Sequence, residues 1–195
     1  MRRYCAANRL NRLGTLTYRG TGCHDPVELR GHVAVFFRHL RAGAGRRRLA
    51  YLWVAEWHKT DHGLHVHFAV GEYIRRSVID QAWGHGFVHI KLLGDLPVGS
   101  GTVAQARKAA GYLSKYVGKT FEEERRIPGR HRYEIAQGFK PAKAEVWGRT
   151  RGDAVREACR LMGGEVPSTV WTSEEVEGWK APPAVWVQWP VRAAR

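Results

Sequence analysis

The sequence predicts an α+β fold: a central antiparallel β-sheet of about five strands with helices flanking it. Three observations predict it. Segments with the two-residue period of a half-buried strand interleave with segments of helical period over residues 10–120. Two of the strands, 49–57 and 64–70, are joined by a short turn, HKTDHG, which is hairpin spacing. No regular strand–helix–strand repeat runs through the chain, as it would for a doubly wound parallel sheet.

Each element has its own signal. RLGTLTY (12–18) alternates apolar and polar residues and reads as a strand. TGCHDP (21–26) is a turn with a helix-start signal, after which Val27, His32, Val35, Phe36 and Leu40 recur at helical spacing over 27–41. AGAGRRR (42–48) reads as a basic loop. LAYLWVAEW (49–57) is a strongly apolar strand and LHVHFAV (64–70) is its return. IRRSVIDQAW (74–83) has helical character, and GFVHIKLL (86–93) reads as a strand. TVAQARKAAGYLSKYV (102–117) is a helix, with Thr102 expected as its N-cap and Gly118 as its stop. Beyond it, RYEIAQGF (132–139) reads as a short strand and DAVREACRLMGG (153–164) as a helix. The last thirty residues carry Trp171, Trp179, Trp186 and Trp189 among prolines, and such large aromatics are expected to pack against the sheet. The expected organisation is one domain over 1–120 and a C-terminal extension, 121–195, packed on the same domain.

The 195 residues are 44% hydrophobic and 26% charged, which suits a packed core and excludes wholesale disorder. No stretch approaches the ~18 apolar residues of a membrane span, and the basic N-terminus has no apolar signal core, so a cytoplasmic protein without a membrane partner is expected. Three widely spaced cysteines argue against a disulfide framework and for a reducing compartment; Cys5, Cys23 and the adjoining His24 lack the paired spacing of a metal site. The net charge of +14 is unevenly spread: residues 1–48 carry +9, residues 49–101 carry −1, residues 102–119 carry +4 with no acid, and the remainder +2. Two basic blocks around a neutral middle attract a polyanion, and nucleic acid is the usual one.

The neutral middle holds the first chemical signal. If Trp57 pairs with Leu64 across the turn, Glu56 falls opposite His65 and Val54 opposite His67. Side chains two apart on a strand share a face, and directly opposed residues share it too, with Cβ atoms about 5 Å apart. Glu56, His65 and His67 therefore converge. A histidine pair alone is common on apolar strands as hydrogen-bonded core. An opposed glutamate in LAYLWVAEW is not, because an unpaired buried carboxylate costs several kcal/mol, and two imidazoles with a cation offset that cost. The set offers a two-histidine, one-carboxylate centre with open positions for water or substrate. His58 and His62 in the turn are weaker ligands; His85 and His89 are candidates for supporting or DNA contacts.

The second signal is AGYLSKYVGK (110–119). Tyr112 and Tyr116 lie four apart, on one helical face and roughly 6 Å apart along the axis. Lys115 and Lys119 each follow a tyrosine by three. A free phenol is a poor nucleophile at neutral pH; an ammonium nearby favours phenolate and also neutralises phosphate charge. The same pattern on its own also suits an aromatic core stripe beside a solvated lysine face. Among the remaining basic residues, Arg46, Arg47, Arg48, Arg75, Arg76, Arg107 and Lys108 are the candidates to follow a DNA backbone, and tryptophans are candidates to stack on bases.

Together these residues resemble the HUH endonuclease superfamily, specifically the rolling-circle replication initiators with two tyrosines found in phages and plasmids. The family's His-hydrophobe-His motif is matched by His65-Val66-His67, its acidic third ligand by Glu56, and its tyrosine motif by YLSKYVGK. GTLTY (14–18) and WGHGFVHI (83–90) resemble its flanking segments, so the likeness covers residues 10–120 and leaves 121–195 uncovered. The resemblance implies an HUH/RRM-like palm and a divalent cation, Mg²⁺ or Mn²⁺, on the two histidines and the glutamate; the donor set itself would also bind Zn²⁺. It implies a tyrosine that attacks a scissile phosphate to leave a free 3′-OH and a 5′-phosphotyrosine. Some relatives keep an acidic residue at the position matching Tyr112, which favours Tyr116 for the first cut. Single-stranded DNA with an origin hairpin is the implied partner, alongside host helicase and polymerase. Two other readings stay open: an HUH transposase, and a basic DNA-binding module whose histidines are structural. No GxxxxGK[ST] occurs, so this chain carries no Walker-type ATPase.

Overall fold

A computed structural model of the chain describes residues 1–58, 60–92, 101–119, 131 and 133–190, with the side chains of 104–115 in the helix that spans 101–119. The described residues form two compact units, Met1–Pro141 and Ala142–Arg195.

The first unit is α+β. A short helix α1 (Arg2–Ala7) precedes β1 (Arg12–Tyr18); α2 (Pro26–Gly43) leads to the hairpin β2 (Tyr51–Trp57) and β3 (Leu64–Val70); α3 (Arg76–Trp83), β4 (Gly86–Leu92), α4 (Gly101–Lys119) and β5 (Glu134–Ile135) follow. The five strands form one antiparallel sheet in the order β4-β1-β3-β2-β5. The expected strands are all present. The first four keep their expected bounds to within a residue or two, and β5 is a short remnant of the expected 132–139.

Alternation splits the sheet into two faces. Leu16, Tyr18, Trp53, Val66, Phe68 and Val70 point to one side and pack with Phe36, Phe37, Ile79 and Trp83 from α2 and α3. Leu13, Leu52, Val54 and Ala69 point to the other and pack with Tyr4 and Cys5 of α1 and Ala109, Ala110 and Leu113 of α4. The buried contact face of α4 is largely alanine (Ala106, Ala109 and Ala110 are fully buried), and small side chains let a helix lie close to a sheet. Asn11 Nδ2 donates to Gln105 Oε1 at 2.7 Å and ties the start of β1 to that helix.

Local chemistry explains the boundaries. Asp25 caps α2 by accepting from Val27 N at 2.8 Å, and Pro26 occupies the first turn. Gly84, with φ 65°, closes α3 in the left-handed conformation. Gly14 pairs with Phe68, and a Cβ on it would lie 2.1 Å from the Phe68 ring, so only glycine leaves that ring its place. Two expectations are corrected. Thr102 is inside α4 rather than its N-cap, since the helix begins at Gly101, and Gly118 does not stop it, since it continues to Lys119. Glycine in a helix costs only about 1 kcal/mol relative to alanine, which does not end a helix.

Residues 133–139 belong with the first unit: Tyr133, Ile135 and Phe139 pack on the α4-side core. The second unit holds α5 (Arg151–Leu161), opened by a capping box of Thr150 and Asp153, and the hairpin of β6 (Thr169–Thr172) and β7 (Val185–Gln188). Three of the C-terminal tryptophans build this small unit around that hairpin. Trp171 pairs with Trp186 across it and meets the Trp179 ring at 5.6 Å. No helix among the described residues is long and apolar enough to cross a membrane.

Candidate metal centre and tyrosine cleft

The hairpin register is Trp57 with Leu64, Glu56 with His65 and Val54 with His67. Leu52, Val54 and Ala69 face α4, so alternation carries Glu56, His65 and His67 onto that same face. Their ligand atoms converge: His65 Nε2 and His67 Nε2 are 2.9 Å apart, His67 Nε2 and Glu56 Oε2 3.0 Å, His65 Nε2 and Glu56 Oε2 3.3 Å. The glutamate and His67 are buried, at 7% and 8% exposure. Two imidazole nitrogens and a carboxylate oxygen aimed at one point suit a cation between them. Among the described residues these three form the one cluster able to hold a metal ion. Donors at right angles around a cation with bonds of about 2.1 Å stand roughly 3.0 Å apart; tetrahedral donors stand roughly 3.4 Å apart. Two of the three separations match the first spacing and the third is nearer the second, so the triangle is of a size to hold a metal ion of either geometry.

His67 is oriented from behind. Its Nδ1 lies 3.1 Å from Thr15 Oγ1 on β1, so with Nδ1–H donating to the hydroxyl, Nε2 keeps its lone pair for a cation. His65 has no such support: its Nδ1 is buried without a hydrogen-bond partner.

A small cleft opens beside His67. Thr15 and His67 line its floor, His89 and Lys91 of β4 one wall, and Tyr112 and Leu113 of α4 the other. Tyr112 is 38% exposed, and Lys91 Nζ sits 5.7 Å from the centroid of its ring. The sequence pairs Tyr112 with Lys115; in the fold the cation over its ring is Lys91, while Lys115 is exposed one turn on. Tyr116 and Lys119 lie on the next turn of α4, and their side chains fall outside the described residues.

The other predicted residues are dispersed. Arg46 is paired with Glu72 at 2.6 Å. Arg48 donates to Gly138 O at 2.7 Å and lies over the Phe139 ring, pinning that segment. Arg76 pairs with Asp80 and donates to Val88 O. Arg47 and Arg75 are exposed, and Arg75 and Arg76 stand at the start of α3, in the layer opposite the cluster. Arg107 and Lys108 are half-buried on α4. Of the turn histidines, His58 is 5.4 Å ring to ring from His65, and His62 Nε2 lies 2.8 Å from Tyr18 O. His85 belongs to the α2 layer, with its ring 3.9 Å from that of His32. Burial there, with His32 beside it, holds its pKa below the usual imidazole value. Burial also pushes up the Tyr18 phenol, whose hydroxyl is 3.0 Å from His32 Nδ1.

The sequence reading did not single out Lys91 or Thr15. The signal was there in the alternation of GFVHIKL, which puts His89 and Lys91 on one face; what was missing was the order of strands that sets that face beside β1.

Fold and site together define an α+β protein with a candidate metal centre under a tyrosine-bearing helix. The chain belongs to the replication-associated protein ORF2 family, whose model matches residues 11–121, from the start of β1 past the end of α4. That membership ties it to DNA replication. No curated protein and no solved structure matches it.

Proposed function

We propose that this protein is a replication initiator that nicks single-stranded origin DNA through a tyrosine of α4, aided by a divalent cation on Glu56, His65 and His67. The observation that carries the reading is the shared cleft: Tyr112 of α4 and the cluster residue His67 of β3 both line it.

The resemblance makes Mg²⁺ or Mn²⁺ the expected ion, which Glu56, His65 and His67 would hold. When bound, such an ion polarises a phosphoryl oxygen and stabilises the charge that develops on it. The protein's own groups do the rest. Glu56 supplies the negative charge that holds the cation, and Thr15 keeps His67 in the tautomer that leaves Nε2 free. Lys91, beside the Tyr112 ring, offers an ammonium to the phosphate that enters the cleft. The tyrosine oxygen attacks phosphorus; the bond to the 3′-oxygen of the preceding nucleotide breaks, and that oxygen takes up a proton as the phenol loses one. The product is a 5′-phosphotyrosine and a free 3′-OH able to prime synthesis. Tyr112 and Tyr116, one turn apart, serve successive transfers, the first cut falling to Tyr116 as the resemblance implies. The second tyrosine, or the 3′-OH in reverse, releases the protein.

The test is incubation with labelled single-stranded oligonucleotides tiling the chain's own replicon, with Mn²⁺ or with EDTA, followed by a denaturing gel. A protein-linked band is expected only with Mn²⁺, and it disappears when Tyr112→Phe and Tyr116→Phe are combined. A linked band that survives the double substitution refutes the assignment.

A further inference from the structure

The α4-side face of the sheet does not end at the metal cluster. One row of cross-strand partners runs from Val54 through His67 and Thr15 to His89, so His89 stands two strands, roughly 10 Å, from His67. His89 and Lys91 line the cleft, and Phe87, two residues before His89 on the same strand, shares their face by alternation. β4 is one of the two edge strands of the sheet among the described residues. Its inward residue Val88 is 5% exposed, whereas Phe87 is 71% exposed. An aromatic ring standing in water, continuous with a cleft that contains a lysine, has the two parts of a single-strand track: a flat face for a base and a cation for the backbone.

We infer that the open face of β4 carries the DNA strand away from the cleft, with Phe87 as a stacking platform for a flanking base and Lys91 as a phosphate contact. The inference rests on the proposed reading of the cleft and adds the residue that fixes the neighbouring nucleotide. Phe87 is a positioning residue, since it touches no reacting atom. The occupant is single-stranded nucleic acid rather than a protein strand because the adjoining wall is cationic and leads to the metal centre.

The test is fluorescence anisotropy with a fluorescein-labelled oligothymidylate of about twenty nucleotides, titrated in Mn²⁺ buffer at several salt concentrations. Phe87→Ala is expected to weaken binding about 5- to 150-fold, the range one stacked base contributes, without altering the salt dependence. Phe87→Trp restores binding and Phe87→Leu does not, which separates stacking from mere apolar bulk. Lys91→Ala lowers the slope of log affinity against log salt by about 0.7, the share of one single-strand phosphate. Circular dichroism of each variant checks that this solvent-facing side chain leaves the fold unchanged. Affinity of Phe87→Ala within twofold of the unsubstituted chain overturns the inference. So does a dimer in light scattering that Phe87→Ala splits, because the face then belongs to a second copy. If the unsubstituted chain forms the Mn²⁺-dependent adduct while Phe87→Ala binds normally, this inference alone fails; if the unsubstituted chain neither binds the oligonucleotide nor forms the adduct, the functional reading fails with it.

Discussion

Changing Glu56 to glutamine removes one negative charge from the centre with almost no change in shape. In the fold that carboxylate is 7% exposed and its Oε2 stands 3.0 and 3.3 Å from two imidazole nitrogens. Without a metal, the loss is of charge-assisted hydrogen bonds, worth about 1.5–3 kcal/mol, partly recovered by the new amide donor. With a metal, the two proteins diverge. A cation at a hundredfold excess over its dissociation constant stabilises the folded form by about 2.7 kcal/mol. The first unit, Met1–Pro141, is of a size at which 1 kcal/mol moves the midpoint by about 4 °C, so Mn²⁺ raises Tm by roughly 10 °C. Glu56→Gln, left with two neutral imidazoles, is expected to show less than a fifth of that shift. The assay is differential scanning calorimetry of both proteins in EDTA and over a Mn²⁺ series. Equal Mn²⁺-dependent shifts in the two proteins would refute the reasoning, because the cation would then be bound elsewhere.

The other predictions concern the supports of the site. Gly14→Ala drives a methyl group into the Phe68 ring and is expected to cost about 1–3 kcal/mol in urea unfolding, the usual penalty for an overfilled core. Unchanged stability would mean that Phe68 has room to move. His85, whose pKa burial lowers, stays neutral in the folded state below the pH at which an unfolded histidine takes up a proton. The unfolded chain then binds more protons, so stability is full above the ordinary imidazole pKa of about 6.5 and falls as pH drops below it. Thermal melts from pH 7.5 to 5 are expected to fall, and more steeply than in His85→Gln; parallel curves would contradict the assignment. Thr15→Val removes the hydroxyl behind His67 and is expected to weaken Mn²⁺ binding about 10- to 100-fold in isothermal titration, as loss of a supporting partner does.

How far the sequence reveals this site depends on the range of the information. The pairing of Glu56 with His65 was legible because a short turn sets the register and a two-residue period sets the face. Helix α4 was legible from its own period, but its buried stripe of alanines with Leu113 was not singled out. The neighbours from β4 were not, because β1 lies between β3 and β4, and that order is a long-range fact. Helix α1 is six residues long and too short to show a period. Charge could be counted but not assigned: Arg46, Arg48 and Arg76 had the composition of a DNA track, yet the fold gives them Glu72, Gly138 and Asp80. The tryptophans near the C-terminus were expected to pack against the sheet; three of them gather around a hairpin of the second unit, which no local signal announced.

The most direct test of tyrosine chemistry is mass spectrometry of the trapped product. Trypsin cuts after Lys108, Lys115 and Lys119, so Tyr112 and Tyr116 fall on separate peptides, 109–115 and 116–119. After reaction with cleaved oligonucleotide in Mn²⁺ and nuclease trimming, one of these two peptides is predicted to gain the mass of a nucleotide 5′-phosphate. The same gain on any other peptide, or on none while cleavage proceeds, would contradict it.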